Sequence, residues 1–203
     1  MRSSVVLFAH GAGASSHSEW MQRWKSQLET LAAVETFDYP YMAAKKKRPD
    51  SLDELIRSHR AALAAARARH PGGKVVLAGK SMGSRIGCHV ALEESVDGLV
   101  CFGYPLVAPG GVKVRDQVLL ALRTPILFVQ GTRDALCPLD KLAAVRGAMK
   151  CESALHVVAS GDHSLKITVA HTKSTGITQT DSDRAIFTVI DQFFAAVGVL
   201  PDR

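Results

Sequence analysis

The segment Gly79-Lys80-Ser81-Met82-Gly83 directly follows the apolar run Val75-Val76-Leu77-Ala78. That order puts a serine at the sharp turn where a buried strand becomes a helix. Glycine is needed on both sides, because a side chain there collides with crowded backbone. The serine hydroxyl then stands at the edge of a sheet, aimed outward to attack a carbonyl. Such a turn demands a strand before it, a helix after it and further strands on both sides. The rest of the chain supplies that pattern.

Apolar runs alternate with helical periodicity along the chain. Residues 4–9, 34–37, 74–78, 98–102, 125–129 and 154–158 read as strands. Between them, Met21, Trp24, Leu28 and Leu31 share a helical face, as do Leu52, Leu55, Ile56 and Leu63. Ser16 with Glu19, and Ser51 with Glu54, have capping-box spacing and mark two helix starts. Pro71-Gly72-Gly73 ends the second of these helices. Gly83, Ile86, Gly87 and Val90 line one side of the helix after Ser81, and small residues there let it lie close to a sheet. A short helical stretch is predicted over 114–122, a longer helix over 138–149 and a last one over 182–197. Residues 39–50 read as a loop, and 162–180 as a long irregular segment. Strands that are apolar throughout and alternate with helices imply a parallel sheet covered on both faces. The expected architecture is a three-layer α/β/α sandwich with a doubly wound, mostly parallel sheet of about six strands. No linker or repeat divides the chain, so residues 1–203 read as a single domain.

Composition narrows the function classes. At 203 residues and 47% hydrophobic content, the chain is long and apolar enough to bury a core. No apolar run reaches membrane-span length, and Met1-Arg2-Ser3-Ser4-Val5 leads straight into a strand rather than a secretory segment. A cytoplasmic location with no membrane partner is the expectation. Cys88, Cys101, Cys137 and Cys151 lack pairing or metal spacing and read as reduced thiols. The eight histidines show no metal-binding spacing either, so neither metal nor cofactor is expected. Net charge is +6, with a local run at Lys45-Lys46-Lys47-Arg48. No aromatic residues interleave with that run, so it reads as a solvated loop and nucleic acid is not an expected partner.

A serine hydroxyl is a poor nucleophile until a base removes its proton. Histidine suits that role near neutral pH, and a carboxylate behind it fixes its tautomer. In open parallel sheets such groups gather at the carboxyl ends of strands. Asp134 follows the fifth strand and His163 the sixth, which gives the candidate set Ser81, Asp134 and His163. Asp162 is the nearest rival to Asp134, but a sequence neighbour of His163 points its side chain elsewhere. Two backbone N–H groups must meet the developing oxyanion. Met82, next to the serine, is one, and Ala12 in the small-residue loop His10-Gly11-Ala12-Gly13-Ala14 is the other. His10 reads as a structural buttress of that loop. A dinucleotide-binding turn also fits Gly11 and Gly13, with Asp38 for a ribose, but Ser16 stands where the third glycine belongs. His17, Trp20, Tyr41, Met42, Tyr104 and Leu106 are either lining of the pocket mouth or ordinary packing. Cys137 reads as a small buried residue.

With these segments in hand, the chain resembles the α/β-hydrolase superfamily. Within it, the chain is similar to the family of testis-expressed protein 30 and a related subunit of a chromatin acetyltransferase complex. His10-Gly11-Ala12-Gly13, Gly79-Lys80-Ser81-Met82-Gly83-Ser84-Arg85, Gly131-Thr132-Arg133-Asp134 with Leu139-Asp140-Lys141-Leu142, and Gly161-Asp162-His163-Ser164-Leu165 carry the likeness over nearly the whole chain. The resemblance implies the superfamily fold in minimal form. The first strand corresponds to the third of a full hydrolase sheet, and the short stretch 102–125 leaves no room for a cap domain. It implies nucleophile, acid and base at Ser81, Asp134 and His163. A shallow site of the dienelactone-hydrolase kind would take a small-molecule acyl substrate, a small or extended ester or thioester, through an acyl-enzyme. Because part of this family serves as scaffolding, a catalytically silent interaction module is the alternative.

Overall fold

The computed structural model describes residues 4–111 and 113–200. Residues 1–3, 112 and 201–203 lie outside the described set, including the Met1 to Ser3 segment on which the reading of location drew. Six strands are described: β1 (Val5–Ala9), β2 (Ala33–Phe37), β3 (Val75–Lys80), β4 (Gly98–Phe102), β5 (Ile126–Gly131) and β6 (Ser153–Val158). They form one sheet in the order β2-β1-β3-β4-β5-β6, and every neighbouring pair is parallel. The helices are α1 (Glu19–Leu28), α2 (Pro40–Ala43), α3 (Leu52–Arg69), α4 (Met82–Val90), α5 (Gln117–Ala121), α6 (Leu139–Ala148), α7 (Val169–Thr175) and α8 (Gln179–Ala196).

The strand pleat sorts the core into two halves. Val5, Leu7, Leu77, Leu99, Cys101, Ile126 and Phe128 face one side, where α3, α4, α5 and α6 bring Leu55, Leu63, Ile86, Val90, Leu119 and Leu142. Val6, Phe8, Val76, Val100, Phe102, Leu127 and Val129 face the other, where α1 and α8 bring Met21, Trp24, Leu28, Ile186, Ile190 and Phe194. Burying each large side chain contributes about 1.5–3 kcal/mol, which is why the central strands carry no polar residue until their C-terminal ends. This is the three-layer α/β/α architecture that the alternating pattern predicts.

Three helix starts differ from their sequence signals, α5 among them, which opens at Gln117 rather than at 114. Ser51 caps α3 as expected, its side chain accepting from Glu54 N. Ser16 does not cap α1: its N–H donates to Asp38 Oδ1 at 2.7 Å, which holds it in the preceding loop, and Ser18 is the N-cap. The predicted loop 39–50 contains the one-turn helix α2, opened by Pro40 at its first position. The irregular segment 162–180 contains α7 and the start of α8, which begins three residues earlier than its apolar face suggests. Thr178 and Asp181 form the reciprocal capping box there. Among the described residues, the stretch between β4 and β5 holds only an isolated Val107–Val114 bridge and α5, with no inserted cap. Among the same residues, no helix is long and apolar enough to cross a membrane.

Candidate active site

Because all strands run the same way, their C-terminal ends share one edge. The loop after β1 lies beside the end of β3, and the loops after β5 and β6 approach from the other side. The connections from β1 and from β3 depart in opposite directions, so a crevice opens between them.

Ser81 sits in that crevice with φ 51° and ψ −115°. A non-glycine residue in such a conformation costs about 1–3 kcal/mol, which the surroundings must offset. The flanking glycines make the turn possible. A Cβ at Gly83 would lie 2.6 Å from the His10 carbonyl oxygen, and one at Gly79 would lie 2.7 Å from that of Gly83. Helix α4 therefore starts hard against β1. Ser84 Oγ donates to the Ser81 carbonyl at 2.6 Å and fixes the turn from inside.

The structure brings the three distant side chains together. His163 Nε2 lies 2.8 Å from Ser81 Oγ, and His163 Nδ1 lies 2.8 Å from Asp134 Oδ2. A carboxylate only accepts, so Nδ1 carries the ring proton and Nε2 is left to accept from the serine hydroxyl. Asp134 is buried, and its other oxygen accepts from Leu136 N at 2.9 Å. Asp162 does not compete. Its Oδ1 accepts from Ser164 N at 2.7 Å and Lys166 N at 3.0 Å, which turns the chain just after His163.

The loop after β1 is held by a buried network. His10 Nδ1 donates to the Gly11 carbonyl at 2.7 Å, and His10 Nε2 accepts from Tyr39 N at 3.1 Å. Burial pushes the His10 pKa down, so the ring stays neutral in this role. Tyr41 Oη donates to the Ala12 carbonyl at 3.0 Å; burial raises its pKa to about 12, which keeps the donor proton in place. Among the described residues, the N–H groups of Ala12 and Met82 donate to no protein acceptor. Asp38 is engaged with Ser16 and stands 3.6 Å from His10 Nε2, so it is not presented to a ribose.

A cleft of about 330 Å³ opens beside Ser81 and His163, lined also by the 11–14 loop, Trp20, Met21 and Lys80. Of the six residues weighed for the pocket mouth, Trp20 alone lines it. Tyr41, Tyr104 and Leu106 are buried in the core, Met42 packs against that core, and His17 is exposed. Cys137 is buried, and burial pushes its thiol up to about 12.

Three residues have supporting roles that their place in the sequence does not announce. Gln130 ends the buried strand β5; its Oε1 accepts from Tyr104 N at 3.0 Å and its Nε2 donates to Asp134 Oδ2 at 2.5 Å. Its signal in the sequence is a lone amide at the end of an apolar run. Lys80 Nζ donates to the His163 carbonyl at 2.8 Å and lies 4.9 Å from the Trp20 ring centroid. Burial lowers its pKa to about 8, against the opposing pull of Asp134 and Asp162. Trp20 Nε1 donates to the Ser164 carbonyl at 3.0 Å. Lys80 and Trp20 together hold the backbone that presents the imidazole.

Comparison with known proteins agrees with this architecture. A family model described as an alpha/beta hydrolase domain matches residues 2–195. Among solved structures, a dienelactone hydrolase from Anabaena variabilis superposes with a TM-score of 0.69 at 18% identity, over 96% of this chain and 86% of its own. An alpha-beta serine hydrolase homologue from Coxiella burnetii gives 0.68 at 19%, over 79% and 76% of the two chains. A protein of unknown function from Agrobacterium tumefaciens gives 0.75 at 12%, over 100% and 90%. At these identities the likeness is one of fold.

Proposed function

Since the chain belongs to the alpha/beta hydrolase domain family, we propose that it is a serine hydrolase that cleaves a small or extended ester or thioester, working as one domain. The observation that carries this reading is the unbroken relay of 2.8 Å contacts from Ser81 Oγ through the His163 ring to Asp134. In this mechanism His163 Nε2 takes the Ser81 proton as the oxygen attacks the acyl carbon. Met82 and Ala12 donate their N–H groups to the oxyanion. The Nε2 proton then passes to the departing alkoxide or thiolate, which leaves an acyl-enzyme on Ser81. Water, deprotonated by His163, attacks the acyl carbon and releases the acid. Asp134 stabilises the imidazolium in both halves and stays ionised.

Esters come first because an alkoxide leaves more easily than an amine, and the dienelactone hydrolase named above acts, by its name, on a lactone. The short stretch between β4 and β5 fits a shallow site for such substrates. A cytoplasmic setting suits the four free cysteines. A fluorophosphonate probe should label Ser81 in the folded protein and fail on Ser81→Ala; no labelling of folded wild-type protein would overturn the reading.

The finer resemblance to the testis-expressed protein 30 family keeps a second reading in view, a silent interaction module. It is favoured by the exposed run Lys45 to Arg48 and by Val169, 72% exposed on α7. Partner capture that survives Ser81→Ala, with no ester cleaved by the wild type, would select it.

A further inference from the structure

On the side of α4 away from its packed face, cations gather with no carboxylate paired to them. Arg85 and His89 lie one turn apart on α4, and Lys113, Arg115 and Asp116 come from the segment leading into α5. Together they line a pocket of about 350 Å³. Arg85 Nε and His89 Nε2 are buried there without a hydrogen-bond partner. Buried polar atoms are nearly always paired, so unpartnered nitrogens on two of the residues that line one pocket are unusual. Among the described residues, Arg85, Lys113 and Arg115 form no ion pair with any carboxylate, Asp116 included. Burial above all depresses the Arg85 pKa; Tyr104 opposes it, and the charge of Arg115 nearby adds a smaller push in the same direction as burial. Burial, and then Arg85, likewise keep His89 neutral. Like charges held together in this way are relieved by an anion between them.

We propose that this pocket binds a phosphate dianion, either free or as the monoester of a small molecule. Three cations against the single carboxylate of Asp116 leave two positive charges, which matches a dianion better than a monoanionic carboxylate. Two guanidinium forks suit tetrahedral oxyanions, and Lys113 adds a point charge. Val114 and Val118 give the pocket an apolar wall against which the carbon portion of a monoester can lie. The site is separate from the serine cleft and does not depend on whether Ser81 turns over.

The test is a calorimetric titration at fixed ionic strength with two probes, inorganic phosphate and glycerol 3-phosphate. Saturable binding of one equivalent is expected, with chloride at equal ionic strength failing to compete. Arg115→Gln should weaken binding at least about tenfold. Arg85→Gln should do the same, but Arg85 is half-buried, so Lys113→Gln on the exposed segment serves as a second variant whose fold is not at risk. Tighter binding of glycerol 3-phosphate assigns the pocket to a monoester, and equal or weaker binding assigns it to free phosphate. Non-saturable binding of both probes, or unchanged affinity in correctly folded Arg115→Gln and Lys113→Gln proteins, overturns the proposal. Fluorophosphonate labelling of Ser81 in the same variants should be unchanged, which separates this result from the hydrolase reading.

Discussion

Lys80 Nζ donates to the carbonyl oxygen of His163 at 2.8 Å, so the residue beside the nucleophile grips the backbone that carries its base. The bond crosses 83 positions of sequence and ties the end of β3 to the loop after β6. Replacing Lys80 by Met keeps a side chain of similar length and removes the ammonium, which is both the donor to His163 and the cation over the Trp20 ring. A charged hydrogen bond contributes about 1.5–3 kcal/mol, so kcat on a model ester should fall about 10- to 100-fold. Lys80 is protonated below about 8, and above that pH the bond loses its charge. The wild type should therefore show an inflection in its rate near pH 8 that Lys80→Met lacks. Identical profiles would mean that the amine has no positioning role.

Asp134 and Gln130 form a second testable pair. Asp134→Asn would remove the acceptor that fixes Nδ1–H, and the fluorophosphonate labelling rate should drop by about 10³- to 10⁴-fold. Gln130→Leu would strip Asp134 Oδ2 of its amide donor, leaving Leu136 N and His163 as the carboxylate's partners, and would orphan the Tyr104 amide. That loss should cost about 1–3 kcal/mol in stability by urea unfolding and slow labelling by roughly tenfold. A Gln130→Leu protein that labels like wild type would show that Asp134 needs no support from β5.

The motif residues and their strand-end positions were legible because backbone geometry dictates them. A glycine-flanked serine after an apolar strand falls at the strand-to-helix turn, and parallel strands force the loops after β1, β3, β5 and β6 to one edge. The supporting roles of Lys80, Trp20 and Gln130 are hidden for a different reason. Each residue acts through a contact with a loop distant in sequence, 83 positions away for Lys80 and 144 for Trp20, or with a neighbouring strand end for Gln130, and such contacts leave no local periodicity. Ser16 shows the reverse error. Its capping-box spacing with Glu19 is genuine, but the Asp38 carboxylate, from the loop after β2, claims its amide and delays the helix. Tertiary hydrogen bonding overrode a local signal there, as it did not at Ser51.

Gly83 offers a prediction about the fold itself. Any side chain at this position runs into the carbonyls of Ala9 and His10, which belong to the strand and loop that α4 packs against. Gly83→Ala should push α4 away from β1 and destabilise the protein by more than about 3 kcal/mol. Gly13→Ala, where a Cβ meets nothing within 4 Å, is the matched control and should unfold at nearly the wild-type midpoint. Equal midpoints for both variants would show that the close approach of α4 to β1 is not required.

Acid should unfold this protein earlier than its surface charges alone would dictate, and His59 supplies much of the reason. The ring is fully buried, Tyr39 Oη lies 3.0 Å from its Nδ1, and its Nε2 has no partner. Burial lowers its pKa from 6.5 to about 3. In the unfolded chain the ring protonates below 6.5, while in the folded chain it stays neutral until about 3. The unfolded state therefore binds more protons across that window, and stability falls as pH drops through it, by up to about 1.4 kcal/mol per pH unit for this one group. His10, also held neutral by burial, acts in the same direction. Both rings meet Tyr39, whose backbone helps to hold the 11–14 loop through His10, so acid should loosen that loop as well as the fold. His59→Phe keeps an aromatic ring in the site and removes the titration. Urea unfolding at pH 7.5 and at pH 5.0 should give a smaller difference for the variant than for the wild type, by about 1–2 kcal/mol. The variant should start from lower stability at pH 7.5, because the Tyr39 hydroxyl loses its partner. An acid slope unchanged by the substitution would show that another group carries the linkage.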